Sequence, residues 1–144
     1  MRLCKCTFGS VMYIISGIVC ILDMIAGIIT LTQVRFYPKG FKGPVITIGL
    51  LMLLPYLALT TIWGIGFTKA NPSMKTSYAF AYMLLQLGLG SYYIVYDFYF
   101  FTTLGLVLIE VFHAAFVIMQ VVGIFLLVRE EREEIALAGV AYTN

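Results

Sequence analysis

The sequence predicts an all-α integral membrane protein, a four-helix bundle with short loops and both termini in the cytosol. Three observations carry this. Of the 144 residues, 62% are hydrophobic and 11% charged, against roughly 25% charged in soluble domains. The apolar residues gather into four runs, 8–31, 45–67, 78–96 and 102–128, each near the roughly 20 residues that carry a helix across a bilayer. The cations divide unevenly: Arg2, Lys5, Lys69, Lys75, Arg129 and Arg132 fall on one side, and Arg35, Lys39 and Lys42 on the other. The richer side faces the cytosol. Residues 1–144 thus read as one membrane domain, with 129–144 a short cytosolic tail.

The first run follows Arg2 and Lys5 as a signal peptide would, but it is too long, Asp23 interrupts it and no small-residue cleavage site follows. It reads as a retained helix. Cys4 and Cys6 lie just before it, where juxtamembrane cysteines are palmitoylated; lipidation and two unmodified thiols both stay open. Within the run, Ser16, Cys20, Asp23, Gly27 and Thr30 fall within an arc of roughly 80° at 100° per residue. This small and polar stripe reads as a packing face, because small residues let helices approach closely in lipid and polar groups bond across the contact.

The loop 32–44, with Pro38, Gly40, Gly43 and Pro44, is basic and too short for a folded ectodomain. The second run carries Pro55 near its centre, where the missing N–H kinks a helix and opens space beside it. Gly64 and Gly66 near its end read as packing residues and Trp63 as an interfacial anchor. Asn71-Pro72 turns the chain into the third run, which carries Gln86 near its middle and Gly88 as a packing residue. It ends in an aromatic belt around Asp97 comprising Tyr92, Tyr93, Tyr96, Phe98, Tyr99, Phe100 and Phe101, fit for the membrane boundary.

The fourth run holds Glu110, His113 and Gln120 on one face: with Glu110 at zero, His113 falls near 300° and Gln120 near 280°. Burying a charge at the bilayer centre costs roughly 2.5–3.5 kcal/mol on insertion scales, so this face turns inward. Counted from the middle of each span, Asp23 and Glu110 both lie roughly 5–8 Å to the outer side, and Ser16 and Gln120 both lie to the inner side. Antiparallel packing of the first and fourth helices would therefore align two polar layers. After Val128, Arg129-Glu130-Glu131-Arg132-Glu133-Glu134 reads as a solvated face or, less simply, a docking patch for a basic partner.

The order of parts resembles the lysosome-associated four-span transmembrane family and its arthropod relatives. The likeness rests on the cysteine-bearing amino terminus, on the second span's end in Gly64-Ile65-Gly66-Phe67-Thr68-Lys69-Ala70-Asn71-Pro72, and on the aromatic hairpin into the fourth span. Gly66, Lys69, Asn71 and Pro72 are its most distinctive piece. The resemblance implies a non-enzymatic endosomal or lysosomal membrane protein. The chain departs from the family in its shorter, cysteine-free outer loop and in lacking carboxyl-terminal proline-tyrosine motifs that recruit ubiquitin ligases. MARVEL-type four-span proteins are a second likeness in topology.

These observations are those of a tetraspan scaffold or adaptor that binds membrane lipids and other membrane proteins, in trafficking or membrane organisation, at an endosomal, lysosomal or plasma membrane. The alternative is a small proton-coupled transporter, channel or accessory subunit that uses Asp23, Glu110 and His113; a homo-oligomer would suit it. One histidine, no nucleophile beside a base, no four-ligand metal spacing and no phosphate loop argue against an enzyme, a cofactor or a metal. Cations scattered over both sides of a membrane argue against nucleic acid.

Overall fold

In the computed structural model, which describes residues 8–68, 71–98 and 104–141, the chain forms four helices: α1 (Phe8–Gln33), α2 (Lys42–Thr68), α3 (Pro72–Phe98) and α4 (Leu104–Ala141). No strand occurs among the described residues. Among the described residues three helical stretches, Phe8–Phe36, Lys39–Thr68 and Val107–Gly139, are long and apolar enough to cross a membrane. The chain is a membrane protein.

The helices lie side by side in the cyclic order α1, α2, α3, α4, with α4 returning to α1. Each pair is antiparallel, as the contacting residues record: Tyr13 with Trp63 and Gly27 with Leu53 join α1 to α2, while Tyr82 with Gln120 and Gln86 with His113 join α3 to α4. Polarity is inverted relative to a water-soluble protein. Ser16 and Gln120 are 0% exposed, while Phe112 is 74% and Leu84 70% exposed. Such an exterior suits a hydrocarbon solvent, in which polar groups must find partners inside the protein.

The ends of each helix follow local chemistry. Gln33 closes α1, two short 3-10 turns (Val34–Phe36 and Lys39–Phe41) shorten the connection, and Pro44 stands in the first turn of α2, where its missing N–H costs no helical bond. Asn71 caps α3: its Oδ1 accepts from the Ser73 and Met74 backbone N–H groups at 3.0 and 3.3 Å, with Pro72 at the first helical position. Helix α2 runs unbroken through Pro55. Beside that proline lies an apolar recess of about 470 Å³ between α2 and α3, lined by Pro55, Ala58, Leu59, Ile62, Ala81, Leu84 and Leu85.

Two sequence expectations require correction. The tail from Arg129 to Ala141 continues α4 as helix, giving 38 residues in all. Its Arg and Glu residues are strong helix formers, and Arg129 Nε donates to Glu133 Oε1 at 2.9 Å one turn on. Of the glycines expected to pack, Gly27 and Gly66 make close approaches, a Cβ on Gly66 lying 2.6 Å from the Tyr13 hydroxyl oxygen, and Gly64 and Gly88 do not. A Cβ on Gly64 or Gly88 would meet open space, whereas one on Gly17 would lie 2.1 Å from the Trp63 ring and one on Gly123 2.7 Å from Met12 Cβ. Gly27, on the expected stripe, packs against the α2 backbone, with Leu53 N 2.9 Å from a built Cβ.

Candidate functional site

The interior between α1, α3 and α4 is a stack of polar layers. Its side chains come from two stripes of helical period, Tyr13, Ser16, Cys20 and Asp23 on α1 and Lys75, Tyr78, Tyr82 and Gln86 on α3, together with His113, Gln120 and Glu131 on α4.

The layer at one end of this interior links the acids of α1 and α4, but not by direct contact. Gln86 stands between them. Its Nε2 donates to Asp23 Oδ2 at 2.7 Å and its Oε1 faces His113 Nε2 at 3.0 Å; His113 Nδ1 lies 3.3 Å from Glu110 Oε2. The Tyr56 hydroxyl completes the layer at the Asp23 carboxylate. Protons can be assigned along this chain. A carboxylate at Asp23 requires the amide N–H on its side, so Gln86 presents its carbonyl oxygen to His113 and His113 Nε2 carries a proton. Nδ1 then faces the Glu110 carboxyl, the second member of the pair. The His113 and Glu110 side chains are 33% and 21% exposed, so this end of the chain reaches the protein's lateral surface.

The next layer inward is fully enclosed. Tyr78 O–H donates to Ser16 Oγ at 3.0 Å and Ser16 O–H donates to the Tyr13 carbonyl at 2.8 Å; with the tyrosine proton so used, the Cys20 thiol donates to Tyr78 Oη across 3.4 Å. Tyr82 stacks on Tyr78 with ring centroids 5.7 Å apart, and its hydroxyl donates to Gln120 Oε1 at 2.5 Å. Gln120 Nε2 is buried without a hydrogen-bond partner. Ser16 and Gln120 therefore share a depth, as the register count expects, but each is bonded to a tyrosine of α3 and not to the other.

At the end of the interior away from Glu110, Lys75 is 5% exposed. Its ammonium pairs with Glu131 and lies 5.4 Å from the centroid of the Tyr13 ring. Beside it α1 and α2 are clasped twice: the Tyr13 hydroxyl donates to the Trp63 carbonyl at 2.6 Å, and Trp63 Nε1 donates back to the Tyr13 carbonyl at 2.9 Å. The indole lies against Gly17, stacks on Tyr13 at 6.0 Å and is a clasp as well as an apolar anchor.

Of the residues singled out in sequence, Asp23, Glu110 and His113 come together through Gln86, and Ser16 and Gln120 join the tyrosine layer. Cys4 and Cys6 lie outside the described residues, as do the side chains of the aromatic belt from Tyr92 to Phe101. Sequence reasoning missed the role of α3. Lys75, Tyr78, Tyr82 and Gln86 recur at three- and four-residue spacing, so the arithmetic that found the α1 stripe would have found this one. Lys75 and Glu131 resembled a loop cation and a solvated acid, and only packing shows them paired. No protein-family model, curated protein or solved structure matches the chain.

Proposed function

We propose that the chain is a non-enzymatic four-span membrane scaffold or adaptor, a four-helix bundle with both termini in the cytosol, that binds lipids and partner membrane proteins at an endosomal, lysosomal or plasma membrane. The hydrogen-bonded series Asp23, Gln86, His113 and Glu110 carries the reading. Its polar atoms are spent on one another across three helices, the use expected of groups that fix helix register, at typically about 0.6–2 kcal/mol per bond. The long exposed apolar faces of α2 and α4, with Leu54 and Leu57 on the first and Ile109, Phe112 and Ile118 on the second, remain for lipid and for partner helices. Palmitoylation of Cys4 and Cys6 would add a second anchor at the inner leaflet.

The test is affinity purification of the tagged protein in mild detergent, with wild type beside Glu110→Gln. A membrane partner retained in stoichiometric amount by both supports the adaptor. A glutamine amide can donate to His113 Nδ1, so packing survives while the dissociable proton is lost.

One observation favours a second reading as a proton-coupled carrier or subunit: the contacting pair His113 and Glu110 opens to the lateral surface, and the inner layers hold further hydroxyls and the unpartnered Gln120 Nε2. Proton flux into liposomes that Glu110→Gln abolishes without loss of assembly would replace the scaffold reading with this one.

A further inference from the structure

We propose that the inner ends of α3 and α4 form a binding site for one anionic phospholipid. A recess of about 300 Å³ opens there, lined by Thr76, Phe125, Val128, Arg129, Arg132 and Glu133. Its lining is ordered by depth. Phe125 and Val128 belong to the apolar part of α4, and Phe125 meets Phe80 of α3 edge-on, with ring centroids 5.4 Å apart. Phe80 is 51% and Phe125 37% exposed, so the two rings give an acyl chain an apolar wall. One turn beyond, where α4 leaves its apolar stretch, stand Arg129, Arg132 and Thr76, with the Glu133 carboxylate paired to Arg129. An apolar floor below and paired cations above match an amphiphile whose head is negative.

The charges fit a phosphodiester better than a zwitterion. Guanidinium forks bind phosphate oxygens in two-pronged geometry, whereas a choline ammonium would be pushed against two cations. Arg132 is exposed and has no ion pair among the described residues. Arg129 is held only by Glu133, in a pair whose side chains are 75% and 61% exposed; such pairs contribute little, so the guanidinium can exchange the carboxylate for a phosphate. Among the described residues Lys75, also at this end, is committed to Glu131, and the Thr76 hydroxyl donates to the Pro72 carbonyl at 2.9 Å, so the recess offers two guanidiniums, one of them exchangeable from the Glu133 carboxylate that shares the lining. The inference rests on α4 crossing a membrane and is independent of the scaffold role.

The experiment uses the full chain reconstituted in phosphatidylcholine nanodiscs doped with phosphatidylglycerol, released into mild detergent and weighed by native mass spectrometry. Wild type is expected to retain phosphatidylglycerol in preference to phosphatidylcholine. Arg129→Gln with Arg132→Gln lowers that preference on the order of fivefold per arginine. Lys39→Gln with Lys42→Gln, an equal charge change at the opposite end, leaves it at the wild-type level. Phosphatidylglycerol also raises the unfolding temperature of wild type and of the lysine variant, but not of the arginine variant. Wild-type retention by the arginine variant, or an equal loss in the lysine variant, would overturn the proposal. Displacement of the lipid by glycerol 3-phosphate would overturn it in favour of a free-phosphate site.

Discussion

Gln86 joins α1, α3 and α4 at a single depth, and a primary amide can do so because it donates to Asp23 and accepts from His113 at once. Gln86→Leu keeps the volume and removes both functions, leaving Asp23 with the Tyr56 hydroxyl and His113 with Glu110, each short of one hydrogen bond in a low-dielectric interior. The expected cost is about 1–3 kcal/mol, read as a shift in the detergent unfolding transition, with Glu110→Gln close to wild type in the same assay. The sequence made Asp23, Glu110 and His113 visible because ionisable groups inside apolar runs are rare. Gln86 drew less notice because an amide in a membrane helix costs less and its partners lie 63 and 27 residues away. Depth counting aligned Asp23 with Glu110, but it cannot reveal a third helix standing between them.

Glycines and the clasps they permit set how closely the helices pack. The indole of Trp63 can reach the Tyr13 carbonyl because Gly17 leaves its face bare. Gly17→Ala would push the ring outward and is expected to destabilise by about 1–3 kcal/mol. Gly64→Ala and Gly88→Ala meet open space and gain helix propensity worth up to about 1 kcal/mol; the same unfolding assay separates the two classes. Composition marks a glycine as able to approach a neighbour, and only the rotational phase of two helices shows which glycine does so. The helix α4 extension has its own test: Glu131→Gln leaves Lys75 buried without its counter-ion, and hydrogen exchange of the backbone amides from 129 to 141 is expected to accelerate. Its helix-forming residues were legible in Arg129 to Glu134, but its anchorage to α3 was not, because Lys75 and Glu131 are 56 residues apart.

At the scale of the molecule, the proposed orientation, with both termini in the cytosol, rests on the division of cations and has a direct test. Gly40 and Gly139 have no heavy atom near a built Cβ, so both accept cysteine without strain. A membrane-impermeant maleimide is expected to label Gly40→Cys from the outer side of intact cells, and Gly139→Cys only after permeabilisation; the reverse pattern would invert the topology. All-helical architecture and the membrane were legible because 62% hydrophobic composition leaves few other folds. The cyclic helix order was not, since any of several arrangements buries four apolar runs. The length of α4 carries a mechanical consequence. From Arg129 to Ala141 it extends 13 residues past Val128, about 20 Å of stiff rod rooted through Glu131 in the body of the protein. A protein that grips the far end is held at a set height above the bilayer and in a set azimuth. A one-residue insertion between the root and the grip would turn that azimuth by about 100°, and any roll of α4 that exchanged bonding partners at His113 or Gln120 would swing the gripped partner through the same angle, as a shaft turns a handle.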